Sequence, residues 1–379
     1  MEPRNGGLTP EQYDRWSGRT QALGLDPENP HQMQELELRD LDFESLREAQ
    51  KSILFPVDTQ EVMTRDQLEQ INHPEMKYIN DYFAGRMNVD GPETLEHFKQ
   101  WVSGKFVAIS ALDVTVTKEK PLVFSKFTTV ANFGTVTLEP GGYIECRTQT
   151  HFYCEKLIKK SEYSSDYPDI LILGDDGGTT TCAVNGIEGS VGENGKDACT
   201  CTTSATKGCH GGHGSGGGNG CDGLDGLDAS TADFTIRELT GHIIVLNQGG
   251  NGGHGSDGGS GGNGGDGGYG GHGLNECHLC GGDGGNGGHG GHGGNGGNGG
   301  HGSQVTINYS SSPEGGSISP VAGIARGGRG GKGGACGHFG QGGSGGTVGN
   351  SGHCGTTGNC GKNGLDGQAG FIQINEHQL

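Results

Sequence analysis

The spacing of apolar and polar positions changes period twice along the chain. Up to about residue 104 it is helical. Thr9-Pro-Glu-Gln12 forms a capping box with proline at the first helical position, and Thr64-Arg-Asp-Gln67 forms a second box. In 90–104 an acidic cap opens a helix whose Leu95, Phe98 and Trp101 share one face before Gly104 closes it. From 105 to about 173 the period falls to two, which predicts short strands at 106–116, 135–138, 143–146, 152–158 and 170–173. Pro121, Gly134 and Pro140-Gly-Gly142 punctuate them. Beyond Gly174 the dominant period is three, broken by apolar segments at 234–236, 242–246, 304–309 and 371–374.

The triplets are strictest in 249–302. There the chain runs Gly-Gly-X, with Asn251, His254, Asp257, Ser260, Asn263, Asp266, Tyr269 and His272 at X, and a single lapse at Ser256. After the insert 274–280 the beat resumes, with Asp283, Asn286, His289, His292, Asn295, Asn298 and His301 at X. Glycine also holds every third place from Gly328 to Gly370. A period of three belongs to an extended helix of three residues per turn that makes no internal hydrogen bonds. Its peptide groups must find partners in neighbouring segments. Collagen shares the period but needs abundant proline, and this chain has 12 prolines in all. The expected architecture is therefore multidomain. It comprises a small α-helical N-terminal region (1–104), a short-stranded β region forming a sandwich or β-helix (105–175), and a C-terminal bundle of polyglycine II helices bracketed by strands (176–379).

Composition narrows the function. Only 30% of the 379 residues are hydrophobic and 82 are glycine, so the second half needs backbone hydrogen bonds and cross-links in place of an oily core. The formal net charge is −20, which argues against nucleic acid as a partner. Over 281–379 Asp283, Glu314, Asp366 and Glu376 balance Arg326, Arg329, Lys332 and Lys362. No apolar run is long enough to span a membrane. All 12 cysteines follow residue 145, which suggests disulfides and an oxidising final environment. The start of the chain does not read as a signal peptide, so the expected location is extracellular or particle-associated without a recognisable leader.

No acid/base pair or activated nucleophile emerges, and the Gly-X-Ser-X-Gly matches around Ser260 and Ser344 lack the strand-to-helix context of a nucleophile elbow. Cys277-His-Leu-Cys280 has metal-ligand spacing, with His272 and Glu276 close by. Disulfide pairing and zinc at Cys277 and Cys280 are both open readings of that insert.

The Gly-Gly-X columns, the interposed cysteines and the scarcity of proline resemble the polyglycine II bundle proteins, among them the snow flea antifreeze protein and the tip adhesins of some phage tail fibres. The adhesin resemblance implies a rigid glycine stage with recognition in its loops. The expectation is a non-enzymatic, extracellularly acting binding, adhesin-type or structural protein. Its partners would be a cell-surface protein or glycan, or copies of itself. Asp266, Tyr269, His272, His278, His289 and His292 are the candidate contact residues. A self-assembling filament or shell subunit, and a secreted toxin whose N-terminal half carries the activity, are the alternatives.

Overall fold

The structure is a computed structural model, described over residues 7–37, 105–160, 167–197, 204–273, 278–310 and 315–376. The box at Thr64 and the helix expected over 90–104 lie outside the described residues. Helix α1 (Pro10–Ala22) starts where the first box predicts: Thr9 accepts from the Gln12 amide, and the Gln12 side chain bonds back to the Thr9 amide.

Strand β1 (His31–Glu37) follows the helix, and β2 (Lys105–Val116) pairs with it antiparallel. From β2 onward strands alternate between two sheets. The larger sheet takes β2, β4 (Thr128–Leu138), β6 (Thr150–Lys159), β8 (Ala232–Thr240), β10 (Gln304–Tyr309) and β12 (Phe371–Glu376) in that spatial order, all parallel. The smaller sheet takes β3 (Leu122–Phe124), β5 (Ile144–Cys146), β7 (Ile170–Leu173), β9 (His242–Gln248) and β11 (Ser317–Ala322), also parallel. Each coil of chain thus adds one strand to each sheet. Phe133, Phe152 and Phe234 of the larger sheet and Ile144, Ile170 and Ile243 of the smaller lie in one buried cluster.

Helix α1 covers the other face of the larger sheet. Trp16, Leu8 and Leu112 form a second small cluster there. Beside it a polar network is sealed in: Arg19 pairs with Glu155 and bonds Asn132, whose amide donates to the Trp16 carbonyl and to Thr20. Burial, the largest influence, pulls the Arg19 pKa down against the opposing pull of Tyr153 and Glu155.

This architecture corrects the expected one. The chain is an α/β protein with two parallel-rich sheets and, among the described residues, one helix. It is not a helical region followed by a β region and a separate polyglycine II bundle. The physical reason is strand pairing. Strands β8, β10 and β12, which come from the glycine-rich half, add directly to β6, so both halves share one core.

The glycine tracts are excursions of the same coils. They leave the smaller sheet as outgoing legs over 174–197, 249–273 and 323–346, and return to the larger sheet over 206–230, 278–303 and 347–370. Register passes from strand to tract without slipping. Ile170 pairs with Val245, and Asp176 meets Asn251, 75 residues on in each case. On the returning side Ala232 pairs with Val305 and Asp222 meets Asn295, both 73 residues on.

Candidate functional site

Glycine spacing within a leg follows its neighbours. In the second outgoing leg the Gly261 amide donates to Ala335 of the third outgoing leg, and the Gly262 amide to Ser215 of the first returning leg. A Cβ on Gly262 would stand 2.0 Å from the Ile187 carbonyl oxygen, and one on Gly288 1.9 Å from that of Ser215. Two bare positions in three are required where a leg is enclosed on both sides. The edge leg over 349–370 needs one in three. The lapse at Ser256 lies opposite Cys221, whose amide donates to the Ser256 hydroxyl, and Cys221 forms a disulfide with Cys182.

The X residues have a structural duty that spacing alone did not reveal. At most X places the side chain accepts the backbone N–H of the X residue one coil later. Asn251 accepts from Arg326 at 2.9 Å, Asp257 from Lys332 at 2.6 Å, Asp283 from Asn350 at 2.7 Å and Asn295 from Lys362 at 2.9 Å. Histidine serves equally. His210, His213, His254, His289, His292 and His301 each accept an amide at Nδ1, over 2.8–2.9 Å. A ring nitrogen that accepts carries no hydrogen, so the neutral ring bears its proton on Nε2, on the side away from the rung. Asn, Asp and His recur at X because each has an acceptor within reach of the next coil.

The two layers place the predicted contact residues on two faces. Asp266, Tyr269 and His272 lie on an outgoing leg, and His289 and His292 on a returning one. Asp266 accepts the Gln341 amide, and His289 and His292 those of Thr356 and Asn359. The structure joins His289 and His292 with His210, His213 and His353, three neighbours that the reading of single runs missed. His213, Asn286 and His353 stand in one lane across three coils. The signal lay in the offsets of 73 and 67 residues between coils, not within any tract.

His272 and His278 meet at the turn between the second legs. Their Nδ1 atoms are 2.6 Å apart, one ring donating and the other accepting, and the rings stand edge to face. The His272 amide donates to Asp197. Cys277 lies outside the described residues, and Cys280 is a half-buried free thiol. Among the described residues no group of three or more His, Cys, Asp or Glu could hold a metal ion. Cys182–Cys221 is the one disulfide among them. Cys209, Cys354 and Cys360 are exposed thiols, whereas Cys146 and Cys154 are buried in the core. Disulfides therefore do not staple the described array as a set, and main-chain rows hold it instead. Burial pushes the Cys146 thiol up to about 12 and moves Cys154 in the same direction.

No family model matches the chain, and no curated protein does. Among solved structures, a nine polyproline type II helical bundle springtail antifreeze protein from Granisotoma rainieri aligns at 22% identity over 43% of this chain and 93% of that one, with a TM-score of 0.08. A score that low carries no argument about fold or activity. The resemblance to polyglycine II bundle proteins, and the description as a glycine-rich polyglycine II repeat, are corrected accordingly: sheets define this molecule. No helix among the described residues is long and apolar enough to cross a membrane.

Proposed function

We propose that the protein is a non-enzymatic binding protein that works outside the cell, and that the histidine lanes of the returning layer form its contact face. One observation carries the reading. His210, His213, His289 and His292 are each fixed at Nδ1 by an amide of the next coil, so their outward Nε2–H groups are set before any ligand arrives. Pre-set donors bind with less loss of side-chain freedom than mobile ones. Hydroxyl-rich and carboxyl-bearing surfaces of glycans and glycoproteins offer matching acceptors.

The test replaces these four histidines together with asparagine, which keeps the rung through Oδ1 and changes only what faces solvent. Both proteins are applied to a printed panel of neutral and acidic glycans. Loss of the wild-type signals at unchanged melting temperature supports the assignment, and equal binding by the variant removes it.

One observation favours self-assembly as a second reading. Val184, Ile187, Leu224 and Leu227 of the first coil are exposed, on legs that no earlier tract covers among the described residues. The far end of the array weighs against head-to-tail growth: Asp366 and Asn363 close the Gly327 and Gly330 amides. Light scattering that rises with concentration would favour assembly, and a constant monomer mass would dismiss it.

A further inference from the structure

The ladder also shows which X positions carry no rung. Side chains of the first two coils that close a rung must present an acceptor, and the X residues there are mostly Asp, Asn, Ser, Thr or His. No coil follows the third among the described residues, so its X side chains are released from that duty. Here the chain sets Arg326, Arg329 and Lys332 at three consecutive X places. All three are exposed, and none makes a side-chain hydrogen bond or ion pair among the described residues.

Their backbones are nonetheless held on both sides. The Arg326, Arg329 and Lys332 amides donate to Asn251, His254 and Asp257 at 2.9, 2.9 and 2.6 Å. Their carbonyls accept from Gly252, Gly255 and Gly258 at 2.8, 2.9 and 2.8 Å. The result is a straight row of three cations, spaced by at most about 10 Å per three extended residues, on a protein whose net charge is −20. Asp257 and Asp366 each accept one backbone amide through Oδ1, those of Lys332 and Gly327, and form no ion pair with the row.

We propose that this row binds a linear acidic polysaccharide, one carrying carboxylate or sulfate groups at intervals along an extended chain. A single anion gains little at an exposed cation. A chain that meets all three gains from each further contact after the first, and guanidinium groups add paired hydrogen bonds to carboxylate or sulfate. Nucleic acid fits less well. On a duplex its phosphates repeat every ~3.4 Å of axis on each strand, far closer than the cations, and the X residues of this leg include no Phe, Tyr or Trp for base stacking. The inference needs the protein to be a binder, but it uses a different face from the histidine lanes.

The test measures binding of the full chain to heparin, polygalacturonate, neutral dextran and single-stranded DNA over a range of salt. Arg326→Gln, Arg329→Gln and Lys332→Gln are combined in one variant. A second variant combines Lys118→Gln, Lys120→Gln and Lys126→Gln, removing the same charge from exposed sites elsewhere. Wild type is expected to bind an acidic polysaccharide with affinity that falls as salt rises, and to leave dextran unbound. The row variant should lose about tenfold or more in affinity, and the control variant less than about twofold. Folding stays intact because no rung is touched, which melting curves verify. Equal losses in both variants, retention of binding by the row variant, no binding by wild type, or preference for DNA would each overturn the proposal. Loss of neutral-glycan binding in the four-histidine variant, beside no binding of any polyanion by wild type, would defeat this proposal while sparing the histidine face.

Discussion

The same substitution has opposite signs at two glycines. Gly18 sits inside α1 with nothing within 4 Å of where a Cβ would go, so Gly18→Ala should raise stability by about 0.5–1 kcal/mol through chain entropy alone. At Gly288 the Cβ would stand 1.9 Å from a carbonyl oxygen, and Gly288→Ala should cost about 3 kcal/mol as two legs are forced apart. Urea denaturation of both variants reads the contrast. Glu155 has a side chain 0% exposed and faces Arg19, 2% exposed. Glu155→Gln leaves that guanidinium buried without its counter-charge, and a loss of about 3–5 kcal/mol is expected from urea midpoints. The Cys146 thiol bears on alkaline stability. Its pKa is raised from 9.0 to about 12, so between those values the unfolded chain releases a proton that the folded chain keeps. Stability therefore falls as pH rises through that window, by about 1.4 kcal/mol per unit, and below it this thiol contributes nothing. Cys146→Ala should flatten the decline between about pH 9 and about pH 11 in denaturant titrations.

At the scale of elements, most strands were legible and their pairing was not; β1 fell inside the stretch read as helical, and β3 and β11 were not read as strands. Alternation marks β7, where Ile170 and Ile172 enter the core, and the start of β6, where Phe152 and Cys154 do. Their partners in β8 and β9 lie 75 or more residues away, and periodicity is silent about such distances. Helix α1 was legible because Thr9, Pro10 and Gln12 satisfy its first amides locally. The X columns were legible as lines, but the duty of their side chains was not, since each acceptor meets its amide 67, 73 or 75 residues further on. The rung makes a specific prediction. His289→Asn keeps an acceptor for the Thr356 amide and should leave its hydrogen exchange unchanged. His289→Ala should speed that exchange about five- to tenfold, in line with about 1 kcal/mol for the lost bond.

Taken as a whole, the molecule is one stack of coils in which sheets and glycine legs share a register, and glycine density follows how many neighbours a leg has. The candidate contact residues divide between two faces for the same reason: a run such as 249–272 lines one layer, and the run over 283–301 lines the other. The open first coil and the cation-bearing last coil give the array two unlike ends. Between them the legs are bonded in rows, with X side chains closing the third set of amides, and residue-resolved amide hydrogen exchange tests this most directly. In 281–302 the Gly284, Gly285 and Asn286 amides all have acceptors, and the other triplets repeat the pattern except at His289, which stands opposite the bare Gly216. In 349–370 the amides of Ser351, Cys354, Thr357 and Cys360 have no acceptor among the described residues, while their triplet neighbours do. The predicted result is protection across 281–302 broken only at His289, together with slow, slow, fast triplets across 349–370. Fast exchange throughout both legs, or protection without a period of three in the last leg, would contradict bonded rows.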